Sequence, residues 1–238
     1  MDKIATFLAR QPYGAEVIVV ENGSVDRTAD VVRRFAAAHP NVSLIEEARR
    51  GKGIAVRRGM LAARGEYRFM CDADLSMPIE ELAKFLPPAL DSYDMAIASR
   101  EAAGAVRYNE PAYRHIGGRL INFIIKVLAV RGFEDTQCGF KCFRADAACD
   151  LFNVQRLDGL SFDAEVLFIA QRRGYHIVEV PIDWYFSAES RVRLVRDTLR
   201  VIGDLLRVRR NWRRGIYERV DTSRERTADG TQAAPTQP

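Results

Sequence analysis

Histidine and cysteine are scarce in this chain, with 3 and 4 residues respectively among 238. The cysteines Cys71, Cys138, Cys142 and Cys149 form no CxxC pair, which argues against a zinc ribbon or a dithiol redox motif. A chain of this length can bury a core without disulfide staples, so reduced thiols in a cytosolic compartment are expected. His39, His115 and His176 do not cluster in sequence with other ligands and are assigned nothing. No apolar run approaches the roughly 20 residues of a spanning helix, and the first residues lack the basic and apolar regions of a signal peptide. Neither membrane spanning nor export is predicted. GxxxxGK[ST] is absent, which excludes a P-loop, and no aromatic and basic interleaving points to nucleic acid.

What is present is 47% hydrophobic and 29% charged sequence with a net charge of +4, the composition of a soluble α/β-sized domain. The charge is uneven. Ten arginines stand against three acids between Arg191 and Arg219. A basic amphipathic helix of this kind reads as a surface for anionic lipid, or as a solvated face.

The chain is organised around Tyr67 to Pro78, where a β-favouring run stops at Asp72 and Asp74. Strand ends of open α/β sheets are where ligands bind. Alternation in an extended segment would point both carboxylates at one ligand or one hard cation; the other reading is a cap for a helix opening near Pro78. Upstream, Ile4, Phe7 and Leu8 have helical spacing, and Ala15 to Val20 reads as a strand buried on both faces. The turn at Glu21 to Ser24, a helix through Val31 to Ala36 and a strand from Val42 to Ile45 follow. Arg50 to Gly53 is a glycine-rich basic turn entering a helix, which reads as a phosphate site or, more often for such a string alone, simply as a turn. A helix from Ile79 to Leu86 and a strand from Met95 to Ala98 continue a strand and helix alternation that predicts a largely parallel sheet.

VIVVENGSVDRTADVV resembles the VVxDGSxDxT signature of family 2 glycosyltransferases of the GT-A fold, and GKGIAVRRGMLAARGEYRFMCDADLSMP looks like the segment that follows it. Further on, SR at Ser99 and Arg100, RGFEDTQCGFKCF, FDAEVLFIAQRRGY and VPIDW are similar to the dolichyl-phosphate β-glucosyltransferases. DTQCGFK favours the glucosyl over the mannosyl branch. The resemblance implies an α/β GT-A domain with a mostly parallel sheet flanked by helices. Its expected extent is 1–190, followed by a basic amphipathic membrane-contacting helix over 191–217 and a disordered tail over 218–238.

The resemblance also implies roles residue by residue. Asp72 and Asp74 match the DxD that holds Mg²⁺ or Mn²⁺ against the diphosphate of a UDP-sugar. Glu21 and Asn22, with Ser24, match the positions that read base and ribose, here with one carboxylate fewer than the usual Asp-Asp. Lys52 matches a basic position near the diphosphate. Asp135 is a general base, an orienting group for the sugar hydroxyls or the acceptor of a residual proton. A lipid monophosphate has its second pKa near ~6, so it needs little deprotonation and mainly needs cations to position it. Arg100, Lys141, Arg107 and Arg191 are the candidates, of which Arg100 and Arg191 match basic family positions while Arg107 is named for its proximity on a loop alone. Asp163 and Glu165 either face the site or sit at a helix N-terminus where the dipole favours acids. Trp184 and Tyr185 can line an acceptor groove or pack in the core.

Arg119 to Val130 is apolar almost all round, fitting a core helix or one dipping into an interface. In the arginine-rich segment, Val192, Val195, Leu199, Ile202, Leu206 and Val208 form an apolar series with arginines between them. The reading is therefore an inverting hexosyltransferase that moves glucose from UDP-glucose to a dolichyl or polyprenyl monophosphate, peripheral on the cytoplasmic face of an anionic membrane, alone or beside a membrane-anchor protein. The alternatives are a GDP-mannose-dependent mannosyltransferase and a non-catalytic protein with a degraded fold. In relatives an apolar strand precedes the first helix, whereas Met1 here falls inside it. The expected start is about 20 to 35 residues upstream, or else another chain fills the gap or activity is lost.

Overall fold

The computed structural model describes residues 1–186 and 194–219, without the side chains of 194–197. Arg191, Val192, the side chain of Val195 and nearly all of the expected tail lie outside what is described. A short helix α1 (Asp2–Leu8) leads into the units β1 (Val17–Glu21), α2 (Thr28–Ala38), β2 (Val42–Glu46), α3 (Lys52–Ala62) and β3 (Tyr67–Cys71). The segment expected as an α-helix before Pro87 is a 3₁₀ helix, Ile79–Phe85. Hemmed between Pro78 and Pro87, it is too short for the α form to repay its nucleation. Then come β4 (Met95–Ser99), β5 (Val106–Tyr108), α4 (Ala112–Leu128), β6 (Phe140–Arg144), α5 (Ala145–Val154), α6 (Phe162–Arg172), β7 (Ile177–Pro181), β8 (Asp183–Tyr185) and α7 (Leu194–Arg213).

The strands form three groups. β1 and β2 pair in parallel, the central sheet runs β3-β6-β4-β7, and β5 pairs with β8 in parallel. Within the central sheet β4 and β7 are parallel while β6 runs antiparallel to both β3 and β4. Among the described residues, β1 and β3 each have a ladder on one edge only, and α3 packs against both strands.

β4 divides the core. Its alternating side chains put Met95 and Ile97 into one apolar cluster and Ala96 and Ala98 into the other, so β4 is the strand buried on both faces, whereas β1, expected to be so, has no fully buried residue and a ladder on one edge only among the described residues. The first cluster gathers α4, α5, α6 and α7; the second lies under the 3₁₀ helix around Phe85 and Phe140. α7, set apart by its charge in the sequence, buries Val201, Leu205 and Val208 in the first cluster. Of the apolar series read from the sequence, Val208 faces this core, whereas Leu199 and Leu206 are exposed. α4 likewise has two faces, Gly117, Ile121 and Ile125 inward and a separate apolar stripe outward.

Candidate active site

The loops after β1, β3 and β4 and the loop before β6 converge on one end of the sheet. At the end of β1, the Glu21 carboxylate accepts the backbone N–H of Ser24, which holds its pKa below the usual carboxylate value, and Asn22 Nδ2 donates to the carbonyl of Gly51 at 2.7 Å. That contact ties the β1 turn to the start of α3, where Lys52 Nζ lies 2.7 Å from Asp72 Oδ1. Burial would lower the Lys52 pKa, but Asp163 and Asp72 outweigh it and raise it.

Asp72 and Asp74 are not related by strand alternation, contrary to expectation. The strand ends at Cys71 and the chain turns, with Leu75 N–H bonded to Asp72 O at 3.3 Å and Leu75 at φ 50°. The reason is local, since Asp74 accepts the N–H of Ser76 at 3.0 Å and so stabilises a turn in place of an extended pair. Asp72 instead packs against the backbone of Gly139. Neither aspartate caps the 3₁₀ helix, whose leading residue is Pro78.

Asp135 is buried and forms a two-pronged pair with Arg100, Nε to Oδ2 at 2.6 Å and Nη2 to Oδ1 at 3.0 Å. Its oxygens also accept the N–H groups of Arg100 and Gln137. Burial pushes the carboxyl up, yet the guanidinium and these donors outweigh it and hold the pKa at about 2. A carboxylate so low and so fully occupied is a poor base near neutrality. The Arg100 guanidinium lies 5.4 Å from the Trp184 ring centroid and that of Arg107 lies 5.7 Å from it, so two cations gather at the indole. Arg107 is also paired with Glu101 and with Glu110.

Lys141 sits deeper than an acceptor ligand would. It is 1% exposed, and its ammonium meets Asp163 Oδ1 at 2.7 Å and the carbonyl of Cys138. Asp163, whose pKa burial raises against the pull of Lys141 and Lys52, thus joins the Lys52–Asp72 corner to the interior. Neither it nor Glu165 is the exposed acid that a helix dipole alone would explain. Glu165 is fully buried, accepts the N–H groups of Arg156 and Leu157 and the hydroxyl of Tyr217, and so pins the loop whose Asp158 carbonyl receives Gly53 N–H. Two acids inside an otherwise apolar helix were the signal for this network. The thiols of Cys71, Cys138 and Cys142 are raised to about 12 by burial and stay protonated.

The model of glycosyl transferase family 2 matches residues 3–152. The chain belongs to this family. It is 33% identical over 237 residues to a dolichyl-phosphate beta-glucosyltransferase of Trichomonas vaginalis, covering 93% of this chain and 70% of that protein. A dolichyl-phosphate beta-glucosyltransferase of Dictyostelium discoideum is 28% identical, covering 87% of this chain and 66% of the relative. This glycosyltransferase therefore spans about two thirds of the length of such relatives. Its fold is shared with glucosyl-3-phosphoglycerate synthase of Mycobacterium tuberculosis, solved with Mn²⁺, UDP-glucose and phosphoglyceric acid, at TM-score 0.53 and 16% identity over 80% of this chain and 67% of that one. The α/β architecture is thus that of the GT-A glycosyltransferases.

The corner of Lys52, Asp72 and Asp74 is chemically suited to a divalent cation. Asp72 and Asp74 supply hard oxygen donors, and among the described residues no third ligand side chain joins them. Two carboxylates completed by substrate phosphates and water form a usual set for Mg²⁺ and related cations.

Proposed function

We propose that this glycosyltransferase moves glucose from UDP-glucose to a dolichyl or polyprenyl monophosphate with inversion at the anomeric carbon. The observation that carries the reading is the donor corner, in which Lys52 and the Asp72–Asp74 turn meet Glu21 and Asn22 at one sheet end; the names of the relatives specify sugar and lipid. Glu21, Asn22 and Ser24 receive the base and ribose. Asp72 and Asp74 would hold Mg²⁺ or Mn²⁺, which when bound offsets the charge of the diphosphate.

An oxygen of the acceptor phosphate attacks C1 of the glucose from the face opposite UDP, the C1–O bond to UDP breaks, and UDP departs with the bonding electrons. Lys52 places positive charge where that negative charge develops. The acceptor phosphate is largely dianionic at neutral pH, so no strong base is required. Asp135 therefore acts by fixing Arg100, and the cluster of Arg100, Arg107 and Trp184 forms the wall that orients the acceptor. Glu101 and Glu110 temper the Arg107 charge, which keeps the wall from trapping the phosphate. Arg191 completes the acceptor side in this proposal. A lipid acceptor supports a location at a membrane surface, and the proposed place is the cytoplasmic face of an anionic membrane, with α7 and its arginines toward it. No helix among the described residues is long and apolar enough to cross a membrane.

The test is transfer assayed by mass spectrometry with a polyprenyl monophosphate and a panel of UDP- and GDP-sugars. A hexosyl product formed only from UDP-glucose is expected. Transfer only from GDP-mannose would replace glucose by mannose, and binding without transfer from any donor would leave a non-catalytic protein.

A further inference from the structure

The outward face of α4 is apolar along its whole length. Tyr113, Ile116, Leu120, Phe123 and Val127 are 69, 70, 52, 62 and 57% exposed and recur at helical spacing. A 17-residue helix is about 26 Å long, so the stripe is a large unpartnered patch by the standard of soluble surfaces. Its first turn adjoins the acceptor side of the site, where His115 meets Glu101.

At the other end, Val127 also lines a cavity of about 400 Å³ between α4, α6 and α7. Lys126, Arg131, Arg172 and Arg209 surround it, and Arg213 joins Arg172 and Arg209 in the adjoining hollow. Lys126 is engaged by Glu134 at 2.9 Å, but among the described residues none of Arg131, Arg172, Arg209 and Arg213 lies within ion-pair distance of a carboxylate. Neither lining contains an acid among the described residues; Phe168 forms the apolar floor of the cavity and, with Trp212, that of the adjoining hollow. Arg209 is held in place by donating to the Leu128 carbonyl at 3.1 Å, and Arg172 stacks on Phe168.

Unneutralised guanidiniums around an apolar floor match a phosphate attached to something greasy. The continuous exposed stripe says where the greasy part goes. We propose that this cavity is a headgroup site for an anionic phospholipid, separate from the catalytic acceptor site, and that α4 lies in the membrane interface with its stripe among the acyl chains. Phosphate between the arginines would anchor one end of α4 while the other end holds the acceptor wall at the same interface. This deepens the membrane-facing reading above and rests on it.

The experiment is co-sedimentation of the full chain with phosphatidylcholine vesicles, with and without one fifth phosphatidylglycerol. Arg172→Gln combined with Arg209→Gln should weaken binding to the anionic vesicles roughly 30-fold, with the melting temperature unchanged. Arg207→Gln combined with Arg210→Gln, an equal charge loss on exposed positions of the same helix, should weaken it markedly less. Phe123→Ser should weaken binding to both vesicle types. Equal losses in the two double variants would overturn the pocket and leave diffuse charge. Displacement of the protein from anionic vesicles by millimolar inorganic phosphate, at constant ionic strength, would overturn the lipid assignment in favour of a free-anion site. Absence of wild-type binding to either vesicle would overturn the membrane reading itself, a failure distinct from that of the pocket alone.

Discussion

A Cβ on Gly139 would lie 2.1 Å from a carboxylate oxygen of Asp72, so the missing side chain is what lets that aspartate reach its place. Gly139→Ala should displace Asp72 and weaken UDP-glucose binding by more than about tenfold, measured by calorimetry, while circular dichroism stays native. Asp74→Asn should abolish metal-dependent UDP-glucose binding, and Asp72→Asn, whose carboxylate is already shared with Lys52, should weaken it less; affinity indifferent to EDTA would remove the metal role. At Asp135 the sign of the pH dependence follows from its lowered pKa of about 2 against 3.8 when unperturbed. The pair with Arg100 stabilises the fold fully above the unperturbed value, and that stability is lost only as pH falls toward 2. Hence the pH profile of kcat/KM between 5 and 8 should show no ionisation assignable to Asp135. Asp135→Asn should cost roughly 3 kcal/mol of unfolding free energy by urea titration, because it leaves the Arg100 guanidinium uncompensated.

Helix α7 shows how one element serves two environments. Its inner side chains belong to the main core, and just beyond its end Tyr217 donates to Glu165, which in turn holds the loop against the start of α3. The C-terminal part of the described chain is therefore linked through three hydrogen-bonded steps to the turn that carries Lys52. Tyr217→Phe removes one donor while leaving Glu165 its backbone partners, so a loss of about 1–2 kcal/mol is expected. Calorimetric melting measures this. A rise in KM for UDP-glucose in the same variant would show that the link reaches the donor corner, and an unchanged KM would confine it to stability. α6 supplies both acids of this interior network, Asp163 toward Lys141 and Glu165 toward Tyr217.

Across the molecule the stability is uneven. β4 is buried throughout, whereas no residue of β1 is fully buried and its second edge has no ladder among the described residues. Local opening should follow that difference: amides of β1 and β2 are expected to exchange on the order of 100-fold faster than those of β4 and β6, as hydrogen exchange read by mass spectrometry would show. The succession of strands and helices was legible in the chain itself, and so were Glu21, Asn22, Lys52, Asp72 and Asp74 as a group that the fold brings to one sheet end. Apolar run length, turn chemistry and ordered motifs are local, and they set what each segment can become. The sequence by itself also determined that the positive charge gathers after Arg191. Only tertiary structure decided that β6 enters antiparallel, since strand direction depends on long-range pairing that no local pattern encodes. It likewise decided that Lys141 faces Asp163, that Asp135 is held by Arg100, and which apolar face of α4 and of α7 is turned inward. Periodicity marks two faces on each helix; the packing of α4 and α7 against each other, and of α7 against α6, chooses between them, and the faces left over create the surface where a lipid can dock.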